Sequence, residues 1–442
     1  MESLIVELSK YVTVLLMAVY TYRNFRYFGA DREKKAIILR RQRESIMMLH
    51  LLSFAVLFLN TGDEKLLSLW GAQAVFLWCA PALYGRCYPG RSGLLFDNMC
   101  LFLCVGFVIL ARLSPEKAAK QFAIVVCSAG AAWLIPSIIR RAWQLSRIPW
   151  VYGGAGLGLL TMVYVLGDKS YGAQLSLRVG QVSVQPSEFV KITFVFFIAS
   201  MFYRSTGRRQ IGLTSLGAAL HVLILTISKD LGSALILFVT YVFMVFAATS
   251  EWKYLLVGVF GGWAASAAAL KLFNHVRVRV MAWRNPWADI DNRGYQITQS
   301  LFAIGTGSWF GLGLCQGMPG KIPVVEKDFV LAAIAEEMGV LSVMCLLLVC
   351  LGCFVQFTAI ACRMDALFYK LIALGLGCEY IVQVFLTAGG VTKFIPSTGV
   401  TLPLISYGGS SVLSTFIMFS IIQGLYILKG DDEEEEGYET EF

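Results

Sequence analysis

An all-α polytopic membrane protein is the fold class this sequence predicts, on three observations. Of 442 residues, 57% are hydrophobic and only 15% charged, with a mean hydropathy of +0.67, which leaves too little polar surface for a soluble globule of this size. The apolar stretches are long and continuous, whereas barrel strands would give segments of about 10 residues with alternating polarity. The charges lie mainly between those stretches and in a C-terminal run, DDEEEEGYETEF, that holds eight acids.

Taken in order, runs of roughly 17–25 mostly apolar residues predict about 13 transmembrane helices, beginning near residues 4, 46, 66, 93, 118, 148, 185, 211, 231, 253, 328, 368 and 402. The first lacks a short apolar core followed by a small-residue cleavage site, so it reads as a retained helix. Residues 1–90 hold three spans around a strongly basic loop and no motif with evident chemistry. Residues 91–428 hold ten spans and all the unusual polar residues, and residues 429–442 form an acidic tail. Within the ten-span part, the connection 272–327 is aromatic, basic and glycine-rich, and connections of that length are usually functional. No internal repeat is apparent, which counts mildly against transporter folds built from inverted halves.

The net charge of +8 becomes +16 once the acidic tail is set aside. In a membrane protein, Lys and Arg in short loops report orientation, not nucleic-acid binding. Placing the 23–45 loop inside puts 20 Lys and Arg inside against 13 outside, six of the 13 in the 272–327 loop. The N-terminus is thus expected outside and the tail in the cytoplasm, as an odd number of spans requires. Most of the eleven cysteines lie in apolar spans, where they read as small hydrophobes. With only His50, His221 and His275 and no zinc-ligand spacing, no metal cage is expected.

Four groups are candidates for chemistry. Ionisable side chains at membrane depth are costly and are functional candidates by default. Glu188 and Lys191 in QPSEFVKITF are spaced i, i+3 and share one helix face. They are either a structural ion pair or the charged wall of an outward-facing cavity. Asp328, in KIPVVEKDFVLAAIAEEMG, stands where the long loop turns into a helix. It is either a helix cap or, at a cavity rim, a general base tuned by Glu326 and Lys327. Glu336 and Glu337 follow two turns on, with a polar-interior and a packing role equally open.

Arg277 and Arg279 in HVRVRVMAWRNPWAD lie in the outside loop, where phosphate binding competes with interfacial anchoring beside Trp283 and Trp287. The run AIGTGSWFGLGLCQG permits close backbone approach but fits no nucleotide-binding pattern. The last group, PSTGVTLPLISYGGSS, holds two prolines, three glycines and six Ser or Thr in 16 residues. That composition predicts a broken helix or re-entrant segment, tolerable at membrane depth only against protein or water. Such a segment can offer backbone N–H groups to an anion.

At these motifs the sequence resembles the shape, elongation, division and sporulation (SEDS) family of FtsW, RodA and SpoVE proteins, over about residues 93–428. The motifs carrying the resemblance are QPSEFVK, GYQITQSLFAIGTGSWFGLGL, DFVLAAIAEEMG and PSTGVTLPLISYGGSS. The resemblance implies a ten-helix core, here preceded by three extra N-terminal helices. It further implies a peptidoglycan glycosyltransferase of the bacterial cytoplasmic membrane that polymerises lipid II at the outer face. The implied substrates are lipid II and undecaprenyl-linked glycan, and the implied partners are a class B penicillin-binding transpeptidase and divisome or elongasome proteins. Asp328 matches the family's catalytic aspartate, and Glu188 and Lys191 its acid and base pair. Asp230 in SKDLGSA, Arg279 in the long loop, and Ser406, Gly408, Gly409 and Ser410 of SYGGSS match further family positions.

The chain departs from the family pattern at Ser228 and Lys229, which replace Gln and Pro, at Ser176, which replaces Trp, and in the shortened VVEKDF. On the resemblance, Asp328 is the general base, Arg277, Arg279 and Lys191 neutralise the leaving pyrophosphate, and a divalent cation, Mg or Mn, bound with that pyrophosphate is the one cofactor admitted. The rival readings are a lipid II flippase and a non-catalytic scaffold for a penicillin-binding protein.

Overall fold

The computed structural model describes residues 2–141, 143–170, 173–179 and 182–440. Among the described residues, twelve helices are long and apolar enough to cross a membrane. The remaining expected span is the helix Ser187–Arg204, which has 18 residues but carries Glu188, Lys191 and Arg204. At 1.5 Å per residue it reaches about 27 Å, close to the thickness of a bilayer core. The chain is a multi-pass helical membrane protein.

Four features differ from the expected pattern. The basic segment before residue 46 is helical, because the span there belongs to one 30-residue helix, Arg32–Thr61. The 272–327 connection carries its own helices, Asn274–Arg284 and Tyr295–Gly307. The span near 328 is split: Val330–Met338 ends at Gly339, and the long apolar helix is Val340–Arg363. The span near 402 begins only at Gly409, because Pro403 lacks a donor N–H and Leu404 has a φ of 63°, both incompatible with a helix. The expectation of a broken segment from Pro396 holds: residues 396–408 are non-helical.

A short antiparallel meander was not anticipated. It consists of β1 (Asp168–Ser170), β2 (Ala173–Val179) and β3 (Val182–Val184), with Ser176 opposite Asp168 and Leu177 opposite Val184.

The chain forms two compact units. The first comprises Met1–Cys127, Met281–Cys353 and Val384–Gly408. Within it Val330–Met338 is buried throughout, and the helix Gly93–Leu113 is buried along nearly its whole apolar length. Residues 1–90 are fastened to it by polar contacts: Arg43 Nε reaches Asp97 Oδ1 at 3.0 Å and Tyr20 Oη donates to Asn98 Oδ1 at 2.9 Å. The glycine-rich run clasps the end of Val330–Met338, with Leu312 N donating to Glu336 O and Val340 N to Ser308 O. Gly311 and Gly339 pass each other at φ of 83° and 89°, and a Cβ on either would lie within 2.6 Å of the other's backbone nitrogen. Glycine is therefore required at this crossing for both conformation and space.

The second unit comprises Ser128–Val280, Phe354–Gln383 and Gly409–Phe442. Helices Pro149–Leu166 and Ser187–Arg204 approach closely because Gly153 sits on the ring of Phe197. His221 is fully buried, with Nδ1 at 2.8 Å from the Gly217 carbonyl and Nε2 without a hydrogen-bond partner. The helix Trp252–Leu272 buries none of its residues and exposes Trp252, Phe260 and Trp263, as a lipid-facing element does.

Candidate functional site

In the first unit, Asp328 sits in the turn that leads into Val330–Met338. The N-cap of that helix is Phe329, so Asp328 stands one residue outside the capping position. It is half-buried and borders a narrow crevice lined also by Thr387, Gly390, Ser397, Thr398 and Val400. The Thr398 hydroxyl oxygen is buried there without a hydrogen-bond partner. A carboxylate beside hydroxyl and glycine backbone suits a polar, hydroxylated ligand.

The SYGGSS segment sets the position of that carboxylate. Ser406 Oγ donates to the carbonyl of Lys327 and accepts from Leu402 N at 2.9 Å, while Tyr407 N donates to Glu326 O at 2.7 Å. Gln121 closes the arrangement, donating from Nε2 to Ser406 O at 3.2 Å and accepting from Gly408 N at 3.3 Å. The Glu326 side chain pairs with Lys117. Burial alone would raise its pKa, but the Lys117 ammonium outweighs that and holds it below the ordinary value. Glu326 is thus a fixed anion.

Glu336 and Glu337 have packing roles. Glu337 pairs with Arg112 at 2.9 Å, Arg112 Nη2 donates to Gly317 O at 3.2 Å, and Glu336 accepts from Met318 N at 2.9 Å. These bonds hold the glycine-rich run against its helix.

In the second unit, Glu188 and Lys191 are buried and paired at 2.8 Å. Lys191 Nζ also donates to Gln383 Oε1 at 2.7 Å, and Ser414 Oγ donates to Glu188 Oε2 at 2.9 Å. Glu379, one turn before Gln383, is within electrostatic range of both. Its two carboxylate oxygens are buried without hydrogen-bond partners. Sequence reasoning missed Glu379 and Gln383, although a lone acid in an apolar span is a recognisable signal.

Asp230 is the N-cap of Leu231–Thr249, its Oδ1 accepting from Ser233 N at 3.1 Å. Its Oδ2 accepts from Ser187 Oγ at 2.9 Å and Gln185 Nε2 at 3.4 Å, and Gln185 N donates to Ser410 Oγ at 2.8 Å. Asp230 and Ser410 therefore fix the QPSE segment from two sides, and Gly409 opens the helix that carries Ser410. Arg279 is half-buried, and with Lys229 it acts on His275. Burial, then these two cations, hold the His275 pKa below 6.5, which marks a local positive field. Arg277 is exposed and donates to Lys271 O at 3.2 Å. Among the described residues, no three His, Cys, Asp or Glu are grouped as a cation cage.

The fold defines a polytopic membrane protein with a half-buried carboxylate beside a crevice in one unit and a buried ion-pair network in the other. A family model described as "Cell cycle protein" (FTSW_RODA_SPOVE) matches residues 95–427, and the chain belongs to this family. It is 33% identical, over 76% of its length and 78% of the relative's, to "Peptidoglycan glycosyltransferase RodA" of Mycobacterium leprae (strain TN). It is 30% identical to "Probable peptidoglycan glycosyltransferase FtsW" of Aeromonas salmonicida (strain A449), over 76% and 91%. Among solved structures it is similar to a chain of a peptidoglycan synthase complex, with a TM-score of 0.65, 25% identity and coverage of 77% and 98%. The Rod shape determining protein RodA of Thermus thermophilus matches with a TM-score of 0.58, 26% identity and coverage of 76% and 96%. The family match begins after the first three helices.

Proposed function

We propose that this chain is a peptidoglycan glycosyltransferase that polymerises lipid II at the outer face of the bacterial cytoplasmic membrane. Family membership and the names of its relatives support the reaction class. The observation that carries the mechanism is the placement of Asp328, half-buried in a hydroxyl-lined crevice with its neighbouring backbone held by Ser406. Loop charge supports the orientation, with the 272–327 connection and Asp328 outside and both the 23–45 segment and the acidic tail in the cytoplasm.

Asp328 accepts the proton of the lipid II sugar 4-hydroxyl. That oxygen bonds to the anomeric carbon of the growing glycan, the anomeric carbon–oxygen bond to phosphate breaks, and undecaprenyl pyrophosphate leaves with the electron pair. General-base help of this kind is worth about 10²–10⁴-fold, with positioning of the two substrates supplying much of the remainder. Lys191 is already engaged by Glu188 and Gln383. Arg279, Arg277 and the neighbouring Lys229 are the cations proposed to neutralise the leaving group. A Mg or Mn ion bound together with the substrate pyrophosphate would supply further charge neutralisation. A class B penicillin-binding transpeptidase is the proposed partner, within an elongation, division or sporulation assembly, a reading that the similarity to a peptidoglycan synthase complex supports.

Lipid II translocation is the second reading, favoured by one observation: Glu188, Lys191 and Glu379 form a charged group in membrane-spanning helices, as transport pathways do. Purified full-length protein in liposomes with lipid II and its transpeptidase decides between them. Glycan chains that disappear in Asp328→Asn, with lipid II binding retained, support the transferase. Inert protein that still moves labelled lipid II across the bilayer refutes it.

A further inference from the structure

One groove in the first unit is walled mainly by helices that precede the family match, which begins at residue 95. It holds about 160 Å³ and is walled by Ile46 and Met47 of the helix Arg32–Thr61, by Leu77, Trp78, Pro81 and Ala82 of Lys65–Cys87, and by Cys100. Its one charged wall residue is Arg43. The walls are apolar side chains, and Trp78 and Ala82 face outward from the protein.

The electrostatics at the Arg43 end are unbalanced. Arg43 pairs with Asp97, whose side chain is fully buried. Arg91 acts on the same carboxylate, so two guanidinium groups face one acid. Arg91 lies against the rings of Tyr84 and Phe96 and donates from Nη2 to Pro81 O at 2.7 Å, while its Nη1 is buried without a partner. Arg43 keeps 37% of its side chain exposed. Two guanidinium groups thus share one carboxylate at this end of the groove.

The same end of these helices is rimmed by basic residues: Arg40 and Arg41 precede Arg43, and Arg86 precedes Arg91. Basic residues clustered beside membrane spans attract anionic lipid head groups. In register, Arg43 is one turn before Met47, and Pro81 lies in the last two turns of its helix, so the cation sits at head-group level and the apolar walls run toward the membrane interior.

We infer that this groove binds one anionic diacyl phospholipid, its phosphate at Arg43 and one acyl chain along Met47, Leu77 and Trp78. The lipid neutralises the unbalanced guanidinium charge and fills the seam between the second and third helices. This site is separate from the glycosyltransferase residues, and its occupancy does not depend on the reaction proposed above.

Native mass spectrometry of the detergent-purified full chain tests the inference. Phosphatidylglycerol, phosphatidylcholine with the same acyl chains, and undecaprenyl phosphate are offered in equal amounts. The wild type is expected to retain one phosphatidylglycerol in roughly 5- to 30-fold preference over phosphatidylcholine, the size that one or two interfacial cations give. Ala82→Trp, which fills the groove from an exposed position and leaves the Arg43–Asp97 pair intact, should abolish that retention. The double variant Arg43→Gln with Asp97→Asn, which removes both charges together, should retain the two phospholipids equally. Equal retention of both phospholipids by the wild type, displacement by undecaprenyl phosphate, or wild-type retention in Ala82→Trp would each overturn it. If the double variant unfolds, Ala82→Trp alone decides.

Discussion

The hydroxyl of Ser406 donates to the carbonyl of Lys327, the residue immediately before Asp328. The SYGGSS signature thereby sets the place of a carboxylate 78 positions earlier in the chain without touching the reacting atoms, so Ser406 is a positioning residue. Ser406→Ala leaves the Leu402 N–H and the Lys327 carbonyl without their partner, a loss of about 1–3 kcal/mol per buried group. Polymerisation assays are expected to show kcat lowered by about 10- to 100-fold with KM little changed, since misplacement by about 1 Å has that effect. Ser406→Thr, which keeps the hydroxyl, should recover most of it. A kcat in Ser406→Ala equal to wild type would remove Ser406 from this role.

The buried group around Lys191 predicts an asymmetric response to mutation. Lys191→Met leaves Glu188 and Glu379 without a cation, and breaking a buried pair in this way costs about 3–5 kcal/mol. Adding Glu188→Gln to Lys191→Met should restore part of that. Thermal unfolding in detergent measures it, and additive losses in the double variant would contradict direct pairing.

Asp230 combines a helix cap with a tie to Ser187. Asp230→Ala should cost about 0.5–2 kcal/mol, the usual range for losing an N-cap. Asp230→Asn keeps an acceptor for Ser233 N and should be nearly as stable as wild type. If Asp230→Asn is stable but fails to bind lipid II, the residue also contacts substrate; unchanged binding assigns it to structure alone.

A phosphate at Arg279 and Lys229 would place a negative charge near His275. Burial, then Lys229 and Arg279, hold the His275 pKa below 6.5 in the free protein. An anion there favours the imidazolium, raises the pKa and couples binding to proton uptake. Inhibition of polymerisation by inorganic pyrophosphate should therefore strengthen as pH falls through the interval between the free and bound pKa values. His275→Gln should flatten that dependence without abolishing inhibition, and an unchanged profile in the variant would show that the anion binds elsewhere. For stability, the depressed pKa contributes fully above pH 6.5 and is lost as pH falls toward the folded-state value, because the unfolded chain then takes up the proton first.

Much of this was legible from residue order alone. Spans follow from the length of apolar runs, a local property, and the ion pair at Glu188 and Lys191 follows from an i, i+3 spacing that any helix enforces. Pro396 and Pro403 announce a broken segment because proline cannot donate to a helix. The meander was missed although Leu175, Leu177 and Val179, then Val182 and Val184, alternate with period two, because strands this short give a weak signal beside long apolar helices.

The sequence by itself determined bilayer residence, the helix pattern, the family motifs and the short roster of unusual polar residues, since each depends on neighbours within a few turns of chain. Tertiary structure alone decided which of those residues act as partners. Glu337 proved to be a clasp for Arg112, Asp230 a cap and tie, and Ser406 the anchor beside Asp328. Glu379 and Gln383 joined the Lys191 group from a helix almost two hundred residues away. Such pairings arise from packing between distant helices, where burial without a partner is costly, and no local pattern in the chain encodes them.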